Sequence, residues 1–295
     1  MFINIKIMWF LKFLSRRSFK TLYILSDFLY YLAYYVVGYR RKVVRKNLVN
    51  SFPEKNEKEI IKLEKAFYRQ FCDQIVEIIK QVTITKEEMA SHFYVEDTEI
   101  IEKLRSENRS IVYFLAHIGC WEYVAYFATC TKTEDLYIGY KKLTNETFDK
   151  LMYDLRAKFG GTPIQDTKLL RTLAQFKKEG KRAELGFLAD QSPMPDALNY
   201  WTTFLNQNTA MIDSIERIAR KLDYAICYLD ISRVSRGVYK AEVKLITDDI
   251  NSTPQNYVTE QYTRLLEKTI INQPECYLWS HNRWKYRPED SIKNK

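Results

Sequence analysis

Short apolar runs alternate with helix-like segments between residues 110 and 272, and this alternation constrains the fold more than any other feature of the chain. Residues 110–116 (SIVYFLA) and 184–189 (ELGFLA) are brief and mostly apolar, as expected of buried strands. Strands separated by helices of about 10–15 residues are typical of α/β folds. We therefore predict a layered α/β/α sandwich with a mostly parallel central sheet, preceded by an N-terminal helical segment.

Hydrophobic periodicity and the Gly and Pro residues that interrupt it give the bounds of the other elements. A capping box at residues 51–54 (SFPE) predicts a helix that runs to about residue 81. The pattern also predicts helices at 121–129, 145–159, 168–179, 209–222 and 254–272, and strands at 136–140, 224–233 and 238–246. The sequence contains no internal repeat and no long linker.

The net charge of +9 lies entirely in the first 50 residues, which contain ten Lys or Arg residues and one acid, Asp27. The remaining residues carry equal numbers of cations and anions. A segment this basic requires a negatively charged partner surface, either anionic lipid or nucleic acid. The side chains between the cations are apolar and aromatic, as in residues 22–37 (LYILSDFLYYLAYYVV), whereas a nucleic-acid arm would be polar there. This composition favours a membrane surface and argues against nucleic acid.

The apolar run at residues 22–37 is shorter than the roughly 20 residues that cross a bilayer, and it contains Asp27. We therefore expect an interfacial or shallowly embedded anchor more than a membrane-spanning helix or a core helix of the body. No small-x-small cleavage site follows the run, so a signal peptide is not expected. The predicted domains are residues 1–50, the basic aromatic membrane anchor, and residues 51–295, the catalytic domain.

Several classes of protein are excluded by what the sequence lacks. It has no G-x-G-x-x-G, no Walker-type glycine loop and no G-x-S-x-G, so the sequence shows no nucleotide fingerprint and no nucleophile elbow. Five Cys residues without C-x-x-C spacing and three distant His residues do not predict a zinc site or a disulfide scaffold. We therefore predict no metal and no cofactor.

The strongest local signal is residues 116–122 (AHIGCWE), in which His117 follows an apolar strand and Glu122 stands five residues later. Along a regular helix five residues turn through about 500°, so the two side chains would point to different faces. Across a strand–turn–helix junction at Gly119 they can converge, at the strand end where α/β folds bind ligands. A histidine next to a carboxylate is a general base with an orienting partner.

Two other residues allow alternative interpretations of this region. Cys120 could act as a nucleophile with His117, although it lies in an apolar run without a second orienting group. His281 lies among aromatic and basic residues (WSHNRWK), a setting more typical of a packed or hydrogen-bonded histidine than of a catalyst. On spacing alone, the His117–Glu122 pair could also be structural.

The ordered set of motifs resembles the bacterial lipid A biosynthesis acyltransferase family and, more widely, the H-x4-D/E glycerolipid-type acyltransferases. H-x4-E is the first motif. Residues 39–48 (YRRKVVRKNL), with Phe52-Pro53, resemble the stretch after the family's membrane anchor. Arg156 before Phe159-Gly160, residues 189–191 (ADQ), and residues 277–288 (YLWSHNRWKYRP) resemble its later motifs. The likeness covers most of the chain.

The resemblance implies transfer of a fatty acyl chain from a thioester, usually on acyl carrier protein, to a hydroxyl of a lipid A precursor. His117 would deprotonate that hydroxyl while Glu122 holds the ring. Arg156 would stabilise the oxyanion or grip an acceptor phosphate, and Asp190 would orient a basic group or the acceptor. The implied partners are acyl carrier protein, a glycolipid acceptor and the cytoplasmic face of the bacterial inner membrane.

Two other functions fit the same residues. The first is the same acyl transfer onto another membrane lipid, such as a glycolipid, an aminolipid or a polyene-type lipid, because acceptor choice depends on loop shape. The second is a non-catalytic membrane-associated homologue, against which the intact pair of His117 and Glu122 argues.

Overall fold

The computed structural model describes residues 2–293, with side chains for residues 7–291. Its α-helices are α1 (Phe2–Ser15), α2 (Phe19–Tyr31), α3 (Arg41–Ser51), α4 (Glu57–Gln81), α5 (Lys86–Ala90), α6 (Glu99–Ser106), α7 (Phe127–Cys130), α8 (Glu146–Ala157), α9 (Asp166–Lys178), α10 (Ser214–Leu222), α11 (Tyr257–Asn272) and α12 (Asp290–Lys293). A π-helical turn, Leu32–Val37, continues α2, and a 3-10 helix, Trp121–Tyr126, precedes α7.

The strands form one large sheet and one hairpin within residues 2–293. They are β1 (Phe93–Glu96), β2 (Ile111–Leu115), β3 (Leu136–Tyr140), β4 (Thr162–Gln165), β5 (Glu184–Leu188), β6 (Tyr200–Phe204), β7 (Gln207–Met211), β8 (Ala225–Ser235) and β9 (Val238–Thr247). The seven-stranded sheet has the order β1-β9-β8-β2-β5-β3-β4, and its pairs are parallel except β8 with β9. The predicted α/β class with a mostly parallel sheet is confirmed.

The centre of the sheet is apolar on both faces, which is why its strands are recognisable in the sequence. Every residue of β2 is buried, and β2 pairs in parallel with β5 on one side and β8 on the other. A parallel strand covered on both faces requires a continuous apolar run rather than an alternating one. The strands predicted at 110–116, 136–140, 184–189, 224–233 and 238–246 are all present, with ends shifted by one or two residues.

The start of the long helix differs from its prediction. Ser51 is the last residue of α3, and α4 begins six residues later than expected, at Glu57. A capping box is present, but it joins Asn56 and Glu59, each side chain accepting a hydrogen bond from the backbone N–H of the other. Both the predicted and the observed sequences follow the polar-x-x-Glu pattern. The predicted box at residues 51–54 is therefore wrong.

The helix predicted at residues 209–222 is only partly correct. Thr209 lies in β7 and pairs with Thr202 in the β6–β7 hairpin, and α10 begins at Ser214. Strands β1 and β4, with four residues each, were also not predicted. Such short segments carry too few residues to show a period of two against a background of mixed polarity.

The N-terminal helices pack against α4 through one face. Leu22, Ser26 and Tyr30 of α2 are buried, and the Ser26 hydroxyl donates to Asp73 Oδ1 at 2.6 Å. Asp27, the one acid of the basic segment, pairs with Arg236 at 2.6 Å. Helix α3 ends one residue beyond the boundary predicted at residue 50.

The other face of these helices exposes large apolar side chains. They include Trp9, Phe10, Phe13, Ile24, Phe28, Tyr31, Tyr35, Val36 and Val37. Within residues 2–293, none of the helices combines the length and the apolar composition needed to cross a membrane.

Candidate active site

His117 lies just beyond the carboxyl end of β2, in a turn held by tight contacts. Gly119 has φ +54, and a Cβ at this position would lie 2.4 Å from Cε1 of the Tyr239 ring. Only glycine combines this backbone conformation with so close an approach. The Gly119 N–H also donates to the Cys276 carbonyl at 2.9 Å. The turn therefore has one well-defined position, and it presents His117 at the edge of the sheet.

Asp190 lies beside His117 because of the register between β2 and β5. Leu115 pairs with Leu188, and Ala189 N–H donates to the Leu115 carbonyl at 3.1 Å. Two residues beyond Leu115 and Leu188, His117 Nδ1 lies 2.7 Å from Asp190 Oδ1. Parallel strands end at the same edge of a sheet, so equivalent positions after two paired strands remain neighbours.

The Asp190 carboxylate is fully buried, and its ionised form is nevertheless favoured. Burial raises the pKa of this carboxyl, but the charge of His117 and hydrogen bonds from the His117 side chain and from backbone groups outweigh that effect. The pKa of Asp190 is therefore below its usual range. A carboxylate only accepts hydrogen bonds, so it places the imidazole proton on Nδ1 and leaves the lone pair on Nε2.

The side chain of His117 is 14% exposed, and its Nε2 faces an amide. Gln191 Nε2 lies 3.2 Å from His117 Nε2 and can donate to its lone pair. The Trp121 ring meets the imidazole edge-on, with 4.7 Å between ring centroids. The ring is therefore fixed on two sides, and its basic nitrogen points to a group that a substrate hydroxyl can replace.

Glu122 does not contact His117 as expected but pairs with Arg156. Arg156 Nε and Nη2 donate to the two carboxylate oxygens at 3.0 and 2.6 Å. The Trp121 indole N–H also donates to Glu122 Oε1 at 3.2 Å. Burial lowers the pKa of Arg156, but the charge and hydrogen bonds of Glu122, together with the nearby Tyr140 and Asp149, outweigh burial and raise this pKa. Three donors therefore hold the Glu122 carboxylate, two on Oε1 and one on Oε2.

We expected Glu122 to hold the His117 ring, but the carboxylate that contacts this ring is that of Asp190. The positive-φ turn at Gly119 leads into a 3-10 helix instead of an α-helix, and this helix directs Glu122 towards α8, which carries Arg156. The sequence spacing places His117 beside Glu122 only if the strand–turn–helix junction at Gly119 turns the two side chains towards each other. A long-range strand pairing supplies the actual partner.

The four predicted site residues lie in two pairs, His117 with Asp190 and Glu122 with Arg156. Trp121 connects the pairs, since its ring contacts the imidazole and its N–H reaches Glu122. Sequence reasoning did not assign a role to Trp121 or Gln191. The signal for Trp121 was adjacency to Glu122, and the signal for Gln191 was its place in the motif at residues 189–191.

The structure argues against a catalytic role for the two alternative residues, Cys120 and His281. Cys120 is buried, and burial followed by the charge of Glu77 raises the pKa of its thiol well above the usual range, so it is not a ready thiolate. His281 Nε2 accepts from the Ser192 N–H at 3.4 Å, and burial lowers the pKa of its imidazole to about 4. His281 is therefore a neutral, hydrogen-bonded residue next to the site.

No group of three or more His, Cys, Asp or Glu side chains among the described residues is arranged to hold a metal ion. The side chains that are present in the site offer acid–base chemistry. It combines an oriented imidazole, a buried carboxylate that stabilises its charged form, and a guanidinium whose Nε and Nη2 are held by Glu122. This combination is suited to removing a proton from a hydroxyl and to stabilising negative charge on an oxygen.

Comparison with known proteins shows the family to which this chain belongs. Residues 1–286 match the family model described as bacterial lipid A biosynthesis acyltransferase. Lipid A biosynthesis palmitoleoyltransferase from Escherichia coli (strain K12) is 22% identical over 252 residues, which cover 84% of this chain and 80% of that protein. Lipid A biosynthesis acyltransferase from Shigella flexneri has the same identity and coverage. From the extent of the family match, we conclude that this chain is an acyltransferase and belongs to the bacterial lipid A biosynthesis acyltransferase family.

Proposed function

We propose that this protein transfers a fatty acyl chain from an acyl carrier protein thioester to a hydroxyl of a lipid A precursor, with His117 as the general base. The observation that carries the proposal is the 2.7 Å contact between His117 Nδ1 and Asp190 Oδ1. It keeps the proton on Nδ1 and the lone pair on Nε2, the state that a general base needs.

The acyl chain passes directly from the thioester to the acceptor hydroxyl, without an acyl-enzyme intermediate. The acceptor hydroxyl takes the place of the Gln191 amide at His117 Nε2 and gives up its proton as its oxygen attacks the thioester carbonyl. A C–O bond forms, the carbonyl oxygen becomes an oxyanion, and the C–S bond then breaks. The proton on Nε2 passes to the leaving thiolate, which restores the neutral imidazole. Asp190 stabilises the imidazolium between these steps.

Arg156 stabilises the oxyanion through the part of its guanidinium that Glu122 leaves available. Nε and one N–H of Nη2 are bound by the Glu122 carboxylate, so Nη1 and the second N–H of Nη2 can donate to a developing negative charge. Glu122 acts in this scheme as a positioning residue for Arg156.

The acyl donor and acceptor follow from the family. Its members act in lipid A biosynthesis, so a lipid acceptor and an acyl donor are required. Acyl carrier protein is the proposed donor because it is acidic and this chain carries a net charge of +9. One relative is a palmitoleoyltransferase, but an identity of 22% does not extend its chain length to this protein.

The proposed location is the cytoplasmic face of the bacterial inner membrane. A lipid acceptor cannot leave its bilayer readily, since each buried CH₂ group stabilises it by about 0.8 kcal/mol. Helices α1 and α2 and the π-helical turn expose aromatic and aliphatic side chains, and the basic residues of α3 follow the turn in the chain. Together they form a surface suited to the boundary between lipid headgroups and acyl chains.

The test is incubation of the purified protein with acyl carrier protein thioesters and a tetra-acylated lipid A precursor, followed by mass spectrometry. We expect one additional acyl chain on the precursor. His117→Ala should reduce this transfer by several orders of magnitude while the circular dichroism spectrum stays unchanged. Near wild-type turnover in His117→Ala would falsify the mechanism, and an acyl count unaltered by the wild-type protein would exclude this acceptor.

A further inference from the structure

The groove along α3 has the features of an anion site. It encloses about 890 Å³, within the range of small-molecule sites, and extends from the end of the π-helical turn to the end of α3. Its lining includes five cations and one acid, Glu64. The cations are Arg40, Arg41, Lys42, Arg45 and Lys46.

We propose that this groove binds the phosphate-bearing headgroup of the lipid acceptor. The inference deepens the proposed function and rests on it, because it locates the part of the acceptor that remains at the bilayer surface. The ligand chemistry is an amphiphile with a phosphate, since the lining contains Val43 and Val49 besides the cations.

The two central guanidinium groups are oriented by a buried acid. Glu64 is 0% exposed, and its carboxylate accepts a hydrogen bond from Arg41 Nε at 3.2 Å and another from Arg45 Nε. Both contacts use Nε, so the Nη groups of both arginines extend beyond the acid. Arg41 and Arg45 keep 42% and 31% of their side-chain surface exposed. A guanidinium group that is already oriented loses less conformational entropy when it binds a phosphate.

The charge of the groove exceeds what its own acid can neutralise. Lys42 and Lys46 are exposed on α3, and they form no ion pair with any described residue. Arg40 donates to the Ser280 carbonyl at 3.0 Å, which satisfies one N–H without cancelling its charge. A cation surplus of this size requires an anionic ligand of more than one negative charge, for which a phosphate monoester is suited.

The position of the groove fits a ligand that is partly in a membrane. Immediately before it, Val36 and Val37 are 75% and 64% exposed at the end of the π-helical turn. Arg41 lies over the Tyr34 ring at 4.3 Å, and Lys65 lies over the Tyr35 ring at 5.7 Å. Apolar residues followed by aromatic rings and cations match the order of acyl chains and headgroups in a bilayer.

Helix α3 also connects the groove to the candidate active site. On the side away from the groove, Asn47 Nδ2 donates to the carbonyls of Trp279 and His281 at 2.8 and 2.9 Å. His281 accepts from Ser192, which follows the Gln191 that faces His117. A headgroup held in the groove would thus lie on the helix whose opposite side contacts the segment beside the base.

The test uses phosphatidylcholine vesicles doped either with phosphatidic acid, a phosphate monoester lipid, or with oleic acid at equal surface charge. Lys42→Gln/Lys46→Gln should weaken binding to phosphatidic acid vesicles by roughly 30-fold, at about 1 kcal/mol for each lysine. The control Lys168→Gln/Lys178→Gln, which removes two exposed cations from α9, should bind like wild type. Arg41→Lys/Arg45→Lys keeps the charge but should lose the preference for phosphatidic acid over oleic acid.

The Lys42→Gln/Lys46→Gln variant should also raise the KM for the acceptor at an unchanged kcat. Equal binding by this variant and the α9 control, or an unaltered acceptor KM, would overturn the proposal. Release from phosphatidic acid vesicles by inorganic phosphate that did not exceed release by sodium chloride of equal ionic strength would also overturn it, because free phosphate should compete for the same guanidinium groups.

Vesicle binding and acyl transfer test the groove proposal and the proposed function separately. Vesicle binding needs no turnover and can be measured with His117→Ala, so loss of lysine-dependent binding would contradict the groove alone. Absence of acyl transfer with normal lysine-dependent binding would contradict the proposed function alone.

Discussion

His117 Nδ1 and Asp190 Oδ1 lie 2.7 Å apart, and the parallel pairing of β2 with β5 brings them together. The two residues are 73 positions apart in the chain, the same offset as the paired residues Leu115 and Leu188. Their contact is therefore a continuation of the strand register beyond the last paired residues. Any change that shifts β5 against β2 would separate the base from its carboxylate.

Asp190→Asn should lower kcat by about 10³–10⁴-fold with little change in KM for either substrate. The asparagine amide can donate to Nδ1, and this would move the imidazole proton to Nε2, where the substrate hydroxyl must be deprotonated. The measurement is steady-state acyl transfer, with thermal unfolding as a check of folding. Asp196→Asn, an exposed acid six residues later, is the control and should retain wild-type kcat. A kcat for Asp190→Asn within tenfold of wild type would show that Asp190 does not orient the ring.

Glu122→Gln should reduce the free energy of unfolding by about 3 kcal/mol, because it leaves the largely buried Arg156 without its ion-pair partner. Arg156→Met alone should have a similar cost, whereas the double variant should recover part of the loss. Urea unfolding of the four proteins measures this coupling. Additive effects of the two substitutions would contradict the bidentate pair.

Gly119→Ala should destabilise the protein by about 2–4 kcal/mol, since the added Cβ would meet the Tyr239 ring at 2.4 Å in a backbone conformation that favours glycine. Gly180→Ala is a matched control. Gly180 also has a positive φ, +68, but nothing lies within 4 Å of its Cβ position, so only the backbone cost of about 1 kcal/mol is expected. Urea unfolding of both variants provides the comparison, and equal losses would be evidence against close packing at Gly119.

The stability of the protein should fall as pH rises from about 4.5 to about 7 through the contribution of Glu77. Burial raises the pKa of this carboxyl from 4.5 to about 7, while hydrogen bonds from Tyr239 and Tyr23 oppose the shift. The folded state holds the proton more tightly than the unfolded chain, so ionisation costs stability over this interval, by at most about 3 kcal/mol. Glu77→Gln cannot ionise and should flatten that part of the profile.

The measurement is the free energy of unfolding in urea at pH 5, 6, 7 and 8. The exposed Glu134→Gln serves as the control and should keep the wild-type slope. If the profiles of Glu77→Gln and wild type were parallel across this range, the carboxyl would titrate near its ordinary pKa.

Much of the fold could be predicted because its signals are local. The strand β2 has five consecutive buried apolar residues, and a buried parallel strand requires such a run. Helices α8, α9 and α11 begin and end within a few residues of their predicted bounds, since polar caps and Gly residues end their periodic patterns. The β6–β7 hairpin could not be predicted in this way, because its stability depends on what it packs against.

The sequence by itself determined which side chains are candidates for the chemistry, since an imidazole, two acids and an arginine stand after strands or on a helix near them: His117, Glu122, Arg156 and Asp190. Only the tertiary structure decided which acid serves which base. Contacts between residues far apart in the chain depend on strand order and register, and nothing in the local spacing records these. The pairing of His117 with Asp190, and of Glu122 with Arg156, is therefore a property of the assembled sheet and its helices.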